Sequence, residues 1–542
     1  MLGILEFSRN YQKIYLSKLK LFLKKRLFVK ISYYKVLFAL AAYLCALNFV
    51  FFAAVLDGLK KAEDPVLLGF TIFAGVFFIL LSTLYVLAPP RLIKITGSFF
   101  IAVSAFSAYF MYNYGALLNQ DMMITVLETD NKEAFSYLNF KLILWTLFLV
   151  ILPIGLLIAL KIEYKKGIKT AFLRGFCGFV LSLSFAGVLV LLNSQSVIPF
   201  FRNNSNLKKL HLPYYPIISF ARALNSKLSP PKPLEMIAAD ATRIPNDASK
   251  PKLLVFVLGE TARAASYSAL GYSKNDTNAY TKPFVAANKA AYFEALSCGT
   301  LTAVSVPCMF SHMPRVAYDD DINAQNAIDF LASTGVNVSW YGNNNGGCKG
   351  VCDRVSGLYF GKEFDDILIT ALKNQLSNYE NQPKDAIIVL HVLGSHGPTY
   401  YQRYPDEMKK FTPTCDTSDL AKCSSDEIIN TYDNTILYTD YLISEFIAEL
   451  EKNESFEGSL IYISDHGESL GENGIYLHGL PYAIAPDEQT HVPLMFYSKN
   501  ADLMSRLKKG VSFSQDNIFH TLLGHFGVLS KYYDKNLDMF ER

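Results

Sequence analysis

Five segments within the first 201 residues contain no charged side chain and are mostly apolar. Their lengths are 21, 26, 26, 19 and 27 residues, and they are Val36–Leu56, Pro65–Pro90, Ile95–Gln120, Leu142–Leu160 and Gly175–Phe201. A helix of about 20 apolar residues crosses a bilayer. Buried core helices are the alternative, but five consecutive segments of this kind leave no amphipathic partner to cover them. We therefore predict an α-helical transmembrane domain of five spans over residues 1–201, in contact with the lipid bilayer.

Short apolar runs alternate with mixed helical stretches from Lys252 onwards. The clearest runs are Leu253–Leu258, Val336–Tyr341, Ala386–Leu393 and Leu460–Ser464. Continuous apolar runs of this length are typical of strands buried on both faces, as in a parallel sheet covered by helices. We predict an α/β catalytic domain over residues 251–542. Residues 202–250 contain six prolines and are predicted to form a bridging linker between the two domains.

Lys and Arg residues in the N-terminus and in the connections between the apolar segments are concentrated on one side of the predicted membrane. Fifteen lie on one side, eight of them within residues 1–30, and four lie on the other. Because positively charged connections stay in the cytoplasm, the N-terminus is predicted inside and everything after residue 201 outside. The connection Tyr114–Lys141 then faces outside, where apolar residues at helical spacing predict a short interfacial helix. The basic N-terminus is a topology anchor beside anionic lipid, and no nucleic-acid partner is expected.

Composition narrows the class of protein. Hydrophobic residues make up 51% of the chain and charged residues only 18%, whereas a soluble domain has about 25% charged residues. These values exclude a disordered chain, a small secreted scaffold and a purely soluble enzyme. The net charge of +3 says little about partners, because the basic residues are concentrated at one side of the spans.

The cysteines agree with the predicted topology. Two of the eight, Cys45 and Cys177, lie within apolar segments. The other six form close pairs in the outer domain: Cys298 and Cys308, Cys348 and Cys352, and Cys415 and Cys423. An even number of cysteines in an exported domain predicts disulfides. A zinc site at Cys348 and Cys352 is the alternative, although no second pair has matching spacing.

Polar residues follow each of the four apolar runs directly. They are Gly259-Glu260-Thr261, Gly342-Asn343-Asn344-Asn345, Gly394-Ser395-His396-Gly397 and Asp465-His466-Gly467-Glu468. Ligands of open α/β sheets bind beyond the carboxyl ends of the strands. The four polar stretches therefore predict an active-site rim.

Metal chemistry is the first hypothesis for that rim. Asp465 and His466 can supply a carboxylate and an imidazole to zinc, with Glu260 as a third ligand. The alternative is that Asp465 caps a helix and His466 is a buried polar neighbour. Thr300, in the loop Ser297-Cys298-Gly299-Thr300, offers a hydroxyl that a metal would activate as a nucleophile. The alternative for Thr300 is an ordinary turn or N-cap residue.

Several motifs together resemble one known family. They are Val257–Ala264, Ser297–Thr300, Val306–Ser311, Gly394–Tyr401, Phe411–Cys415, Ser464–Gly474 and Tyr476–Gly479. These segments are similar to the signatures of the phosphoethanolamine–lipid A transferases, which include mobile colistin-resistance enzymes. The wider group is the alkaline phosphatase/sulfatase superfamily, so an α/β domain of that type is expected. The resemblance covers nearly the whole chain, including the five spans before the catalytic domain.

The resemblance also implies roles for individual residues. It makes Thr300 the catalytic nucleophile. The implied zinc ligands are Glu260, Thr300, Asp465 and His466. The implied contacts of the substrate phosphoryl group are Asn345, Lys349, His396 and His478. Lys349, enclosed by a cysteine pair, is suited to binding phosphate, although a solvated loop charge is the alternative. His491 could bind a second metal, and His391 is expected to be structural.

The reaction implied by the resemblance has two steps. Phosphatidylethanolamine donates phosphoethanolamine to the Thr300 hydroxyl on zinc, and a phosphate of lipid A then accepts the group. Added ethanolamine cations would lower the negative surface charge and so weaken binding of polymyxin-like cationic peptides. The expected location is the bacterial inner membrane, with several spans, the catalytic domain in the periplasm and a monomeric chain.

Three other functions are compatible with parts of this pattern. A sibling transferase would move phosphoethanolamine or phosphoglycerol to another glycan. A phosphodiesterase or sulfatase would share the fold, but a sulfatase needs a Cys or Ser nucleophile in its own Arg-containing motif, which the sequence lacks. A catalytically inactive membrane receptor is the third alternative, although such a protein would be expected to have lost one of the four implied zinc ligands.

Overall fold

The chain forms two compact units in a computed structural model that describes residues 30–60, 64–129, 134–135, 137–163, 167–229, 232–245, 249–319, 322–344, 347–381 and 383–541. The first unit contains Met1–Tyr112 and Phe140–Ser219, and the second contains Asn113–Asn139 and Phe220–Arg542. The basic residues before Lys30 and the predicted substrate contact Asn345 lie outside the described residues.

Long apolar helices dominate the first unit. Within the described ranges, four have the length and composition of membrane spans: Pro65–Leu87, Ile93–Tyr114, Phe140–Ala159 and Phe172–Leu192. The last belongs to a longer helix, Ile168–Leu192. Two further helices, Tyr33–Leu47 and Phe49–Leu59, bend by 60° and make a fifth span if counted together. The predicted α-helical transmembrane domain is confirmed.

The bend in the first span has a local cause at Asn48. Its Nδ2 donates to Leu44 O at 2.9 Å and to Leu212 O at 3.0 Å. Its Oδ1 accepts a hydrogen bond from Leu212 N at 2.8 Å. A buried amide therefore satisfies backbone groups at the break, which apolar side chains cannot do.

The remaining elements of the first unit are short. The span Phe140–Ala159 contains a π-helical turn, Leu147–Ile151, just before Pro153, which has no backbone N–H to donate. Strands Lys30–Ser32 and Lys161–Glu163 pair in parallel. The last elements are the 3₁₀ helix Ser205–Leu210 and the helices Ser194–Asn203 and Tyr214–Leu228, the last of which continues into the second unit.

An eight-stranded sheet forms the core of the second unit. In chain order its strands are β1 Lys252–Gly259, β2 Ala290–Leu296, β3 Asn337–Gly342, β4 Ser356–Tyr359, β5 Ala386–His391, β6 Glu457–Ser464, β7 His491–Ser498 and β8 Phe513–Ser514. Their order across the sheet is β8-β2-β7-β6-β1-β5-β3-β4. All neighbouring strands are parallel except β7, which is antiparallel to both β2 and β6.

The four strands predicted from the apolar runs lie side by side, in the order β6-β1-β5-β3. Leu253–Leu258 of β1 is fully buried, as expected for a central strand covered on both faces. Because these four strands are parallel, their carboxyl ends meet at one edge of the sheet. The predicted α/β domain and the predicted edge for the site are both present.

Helices cover this sheet. They are Lys282–Ala286, Thr302–Met309, Ala327–Ser333, Ile367–Glu380, Ser425–Lys452, Asp487–Thr490, Ala501–Ser505 and Asp516–His525. The longest begins with a capping box, in which Ser424 Oγ accepts from Glu427 N at 3.3 Å and Glu427 Oε2 accepts from Ser424 N at 2.7 Å. Two short antiparallel pairs complete the unit: Thr242–Arg243 with Val528–Leu529, and Ser469–Leu470 with Tyr476–Leu477.

The segment Asn113–Asn139 belongs to the second unit, although it lies between two spans in the sequence. Its helix, Gln120–Glu128, begins where Asn119 Oδ1 accepts a hydrogen bond from Met122 N at 3.0 Å. The compact units therefore do not follow the predicted boundaries of 1–201, 202–250 and 251–542, which were placed from continuous stretches of sequence. Only contacts between distant residues could assign this segment to the sheet-containing unit.

Three disulfides tie down loops of the second unit. They join Cys298 to Cys308, Cys348 to Cys352, and Cys415 to Cys423, the pairs predicted from their proximity in the sequence. Sulfur atoms committed to a disulfide are not thiolates, so the alternative zinc site at the middle pair is not formed.

Candidate active site

A buried cluster of two carboxylates and one imidazole lies at the carboxyl edge of the sheet. Glu260 follows β1, and Asp465 and His466 follow the adjacent strand β6. His466 Nε2 is 3.4 Å from Glu260 Oε1 and 3.4 Å from Asp465 Oδ2. All three side chains are fully buried. The structure thus brings together the three residues that the sequence proposed for metal binding.

The geometry of this cluster fits a metal ion such as zinc. Ligand atoms bonded tetrahedrally to zinc at about 2.0–2.1 Å lie about 3.4 Å apart. Asp465 Oδ2 is buried and has no hydrogen-bond partner, which is costly unless a cation satisfies it. His466 Nδ1 lies 2.9 Å from Gly467 O, so this contact orients Nε2 towards the two carboxylates.

Electrostatics within the cluster also favour a cation. Burial and the nearby Glu260 raise the pKa of Asp465 to about 7. Burial also acts to raise the pKa of Glu260, but the hydrogen bond and charge of His466 hold that pKa well below its usual value. Two carboxylates in one buried site repel each other, and a divalent cation would remove that repulsion.

The hydroxyl that meets these ligands belongs to Thr302. Its Oγ1 donates to Glu260 Oε1 and Oε2, at 3.1 Å each, and lies 3.4 Å from His466 Nε2. Thr300 Oγ1 instead donates to Leu480 O at 2.6 Å. The structure therefore corrects the expectation that Thr300 is the nucleophile. The hydroxyl proton of Thr300 is donated to the Leu480 carbonyl and points away from the cluster.

Local structure explains why Thr302 takes this position. It is the first residue of the helix Thr302–Met309, where backbone N–H groups and the helix dipole favour negative charge. The loop before it turns tightly, since a Cβ at Gly299 would lie 2.8 Å from Val304 Cγ1. Gly299 N donates to Ser305 Oγ at 2.9 Å, which holds the loop against the helix. The sequence gives no clear signal for this helix start, because the N-cap residue, Leu301, has no side-chain acceptor.

A cleft opens beside Thr302. Its lining is Thr125, Glu128, Thr129, Leu301, Thr302, Ala303, Asn344, Lys349, Leu393, His396, Arg403 and His478. Three of the four predicted substrate contacts, Lys349, His396 and His478, are therefore in one place. Asn345 lies outside the described residues, and its neighbour Asn344 donates through Nδ2 to Glu260 Oε2.

Opposite charges meet across part of this cleft. Lys349 Nζ is 2.6 Å from Glu128 Oε2, and 221 residues separate the two in the sequence. Lys349 has φ of +50°, a left-handed conformation held within the disulfide loop of Cys348 and Cys352. Glu128 could not be found from the sequence, because its helix precedes the catalytic domain by more than 100 residues.

His478 is held by a buried acid that sequence reasoning did not assign. Its Nδ1 lies 2.7 Å from Glu468 Oε2, and its ring centre is 4.3 Å from that of His466. Tyr400 OH also donates to Glu468. Burial raises the pKa of Glu468 to about 8. This carboxyl group fixes the orientation of His478, which also lines the cleft.

Two further histidines have no assigned part in the cleft chemistry, although His391 Nε2 lies 4.0 Å from Glu260 Oε2. His391, in β5, is fully buried and burial lowers its pKa to about 4, so it is neutral as expected for a structural residue. His491 lies at the start of β7, with Nδ1 2.8 Å from Glu294 Oε1 on a partly exposed surface. Two groups of three residues in the described part of the chain have the spacing of metal ligands: Glu260, Asp465 and His466, and Cys298, Cys308 and Asp516. His491 belongs to neither group.

Two family models match the chain. Residues 252–528 match the sulfatase family, and residues 76–228 match the family described as phosphoethanolamine transferase EptA/EptB. The first covers the sheet-containing region with the buried cluster, and the second covers most of the apolar helices.

Characterised relatives are similar over most of the chain. Phosphoethanolamine transferase EptA of Escherichia coli (strain K12) is 36% identical over 91% of this chain and 94% of its own length. Phosphatidylethanolamine transferase Mcr-1 of Escherichia coli is 34% identical over 89% of this chain and 92% of its own.

Solved structures agree with this similarity. The integral membrane lipooligosaccharide phosphoethanolamine transferase A of Neisseria meningitidis aligns with a TM-score of 0.87 and 33% identity, covering 94% of this chain and 98% of that one. The C-terminal periplasmic domain of EptC from Campylobacter jejuni is 53% identical, with a TM-score of 0.53, over 57% of this chain and 97% of that domain.

These findings confirm the enzyme class predicted from the motifs. The match extends across both units, so it includes the membrane helices as well as the site at the sheet edge. The chain belongs to the EptA/EptB family of phosphoethanolamine transferases.

Proposed function

We propose that this protein transfers phosphoethanolamine from phosphatidylethanolamine to a phosphate group of lipid A, through a covalent adduct on Thr302. The observation that carries the proposal is the position of Thr302 Oγ1 among Glu260, Asp465 and His466. Relatives named for phosphatidylethanolamine and for lipooligosaccharide support the classes of donor and acceptor. The apolar helices, the integral membrane relative and the relative named for its C-terminal periplasmic domain also support a bacterial inner-membrane protein with a periplasmic catalytic domain.

Zinc is the proposed cofactor of this site. Glu260, Asp465 and His466 would hold it, with Thr302 replacing Thr300 as the fourth group. When bound, zinc supplies a Lewis acid that lowers the pKa of a coordinated hydroxyl and stabilises charge on phosphoryl oxygens. A carboxylate–carboxylate–imidazole donor set is one that zinc accepts.

The donor head group matches the charges that line the cleft. Phosphoethanolamine carries a phosphate anion and an ammonium cation. Lys349 is suited to the phosphate, and Glu128, 2.6 Å from Lys349 Nζ, is suited to the ammonium group. We therefore infer that the head group displaces this ion pair and contacts both partners.

In the first step, Thr302 Oγ1 attacks phosphorus and the bond to the diacylglycerol oxygen breaks. Glu260 is placed to take the hydroxyl proton, because Oγ1 already donates to its carboxylate. The diacylglycerol oxygen needs a proton to leave, and His478 can supply it through Nε2 while Glu468 holds Nδ1. The products are diacylglycerol and phosphoethanolamine joined to Thr302 as a phosphodiester.

In the second step, an oxygen of the acceptor phosphate attacks the same phosphorus, and Thr302 Oγ1 leaves as it takes back the proton held by Glu260. His396, which also lines the cleft, is suited to contacting the phosphoryl group during both steps. The acceptor gains an ethanolamine cation, so cationic peptides such as polymyxin would bind its surface less strongly. The described residues of one chain supply every group used here, which is consistent with a functional monomer.

Mass spectrometry of lipid A tests this function directly. Cells that express the protein should yield lipid A that is heavier by phosphoethanolamine on a phosphate, and cells without it should not. Modification of a different glycan with unmodified lipid A would identify a sibling transferase instead. Release of free phosphoethanolamine without any acceptor would identify a phosphodiesterase.

A further inference from the structure

A buried carboxylate, Asp365, joins the ends of two adjacent strands behind the active site. Its Oδ1 accepts hydrogen bonds from Leu393 N at 2.8 Å and from Asn343 Nδ2 at 2.9 Å. Its Oδ2 accepts from Gly394 N at 3.0 Å. Asn343 follows β3, whereas Leu393 and Gly394 follow β5. A single side chain thus fixes the spacing between two loops that both reach the cleft.

The loop that follows β3 links Asp365 to the carboxylate of Glu260. Asn343 is held by Asp365 and also donates from its backbone N to His391 O at 2.8 Å. The next residue, Asn344, donates through Nδ2 to Glu260 Oε2. The direction in which Glu260 presents its oxygens therefore depends on where Asp365 holds Asn343.

The loop that follows β5 links Asp365 to the backbone of Glu260 and to His396. Gly394 has φ of +55°, and a Cβ there would lie 2.7 Å from Glu260 O. Ser395 N donates to Glu260 O at 3.1 Å. His396, the following residue, lines the cleft. The close approach of this loop to Glu260 requires the backbone conformation that Asp365 stabilises at Gly394.

We propose that Asp365 is a positioning residue of the transfer reaction, which fixes Glu260 and His396 relative to each other without touching substrate. The inference rests on the proposed function, in which Glu260 holds the metal and His396 contacts the phosphoryl group. Only a carboxylate can accept all three hydrogen bonds here. If the amide oxygen of an Asn accepted from Leu393 N and Asn343 Nδ2, its NH₂ group would face the donor Gly394 N. Removing a partner that orients a metal ligand typically weakens metal affinity or activity by about 10–100-fold.

The test compares Asp365→Asn with Asp366→Asn in the purified full-length protein. The two residues are adjacent and chemically identical, but Asp366 is exposed. Asp365→Asn should weaken zinc binding, measured by competition with a chelator, by about 10–100-fold. At saturating zinc it should lower kcat and kcat/KM for phosphatidylethanolamine together, since the substrate contacts remain. Asp366→Asn should match the wild type in both measurements.

Wild-type zinc affinity together with wild-type kcat in a folded Asp365→Asn protein would overturn the inference. If that variant fails to fold, Asn343→Ala serves instead, because it removes the hydrogen bond from Asn343 to Asp365 and should also reduce zinc affinity. An unchanged zinc affinity in folded Asn343→Ala would equally contradict the inference. Failure of the proposed function would be distinguishable, because the wild type itself would then neither bind zinc nor transfer phosphoethanolamine.

Discussion

Thr302 Oγ1 donates hydrogen bonds to both carboxylate oxygens of Glu260, at 3.1 Å each. Thr302 begins a helix and Glu260 follows a central strand, so two rigid elements define the distance between the hydroxyl and the carboxylate. The carboxylate can both accept the hydroxyl proton and hold a metal beside it. This pair is the centre of the proposed transfer chemistry.

Thr302→Ala should abolish transfer, because Thr302 Oγ1 lies beside both Glu260 and His466, whereas the other hydroxyl at this cluster, Thr261 Oγ1, donates to Glu260. The expected loss is about 10³-fold or more, the scale on which removal of a catalytic nucleophile acts. Transfer to lipid A by the purified protein in detergent, followed by mass spectrometry, measures this loss.

Thr300→Ala is the matched control for that variant. Thr300 Oγ1 makes one hydrogen bond to Leu480 O, so its removal should cost about 1 kcal/mol of stability. Transfer should stay close to the wild-type rate. Loss of activity in Thr300→Ala, with activity retained in Thr302→Ala, would restore the assignment made from the sequence.

Asp465→Asn should empty the proposed metal site without unfolding the protein. The substitution removes one of three ligands and a charge, while the shape of the side chain is preserved. Zinc content of the purified protein, measured by elemental analysis, should fall from about one ion per chain towards zero. Asp487→Asn, an exposed acid 3.7 Å from His491, serves as the control and should leave the zinc content unchanged. Full zinc occupancy in Asp465→Asn would exclude this residue as a ligand.

Glu468→Gln should slow catalysis while leaving zinc bound. Glu468 is not one of the proposed metal ligands. Its Oε2 lies 2.7 Å from His478 Nδ1, so its carboxyl group orients His478 as proton donor. The expected fall in kcat is about 10²-fold, within the range of general acid–base catalysis. Single-turnover kinetics measure this change, and a wild-type rate would show that His478 does not depend on Glu468.

The strand ends show how far the sequence could predict this site. The sequence predicts Glu260, Asp465 and His466 as site residues because they come just after two short apolar runs. Buried parallel strands place such residues at one edge of the sheet. Thr300 and Thr302 could not be distinguished in the same way. They lie two residues apart in one loop, and only the turn into the helix decides which hydroxyl faces the cluster.

Long-range contacts were beyond the sequence for a different reason. Glu128 meets Lys349 only because the segment Asn113–Asn139 packs with the sheet-containing unit. Asp365 is one of two adjacent aspartates, and no local pattern shows that it alone is buried. The membrane helices were easier to predict, since a continuous apolar stretch of sufficient length determines them.

Stability should also depend on pH through Asp440, which lies on the helix Ser425–Lys452. Burial raises its pKa from 3.8 to about 6, although Tyr280 N and Thr281 N donate to its Oδ2 at 2.8 and 3.1 Å. Between these pH values the folded protein retains a proton that the unfolded chain has lost. The resulting stabilisation is present below pH 4 and is lost as pH rises through about 6, a change of about 3 kcal/mol.

Thermal unfolding of the wild type and of Asp440→Asn between pH 4 and pH 7 tests this dependence. The stability of the wild type relative to the variant should decrease as pH rises, because the amide does not titrate. Asp426→Asn, an exposed acid on the same helix, should show no comparable change relative to the wild type. A constant difference between wild type and Asp440→Asn across this range would refute the predicted shift.

The covalent adduct provides the most direct test of the central claim. Wild-type protein given phosphatidylethanolamine without acceptor should gain the mass of one phosphoethanolamine group, and fragmentation of the peptide that contains both threonines should place it on Thr302. Thr300→Ala should form the same adduct and Thr302→Ala should not. An adduct on Thr300, Ser297 or Ser305, or lipid A modification by Thr302→Ala, would contradict the mechanism.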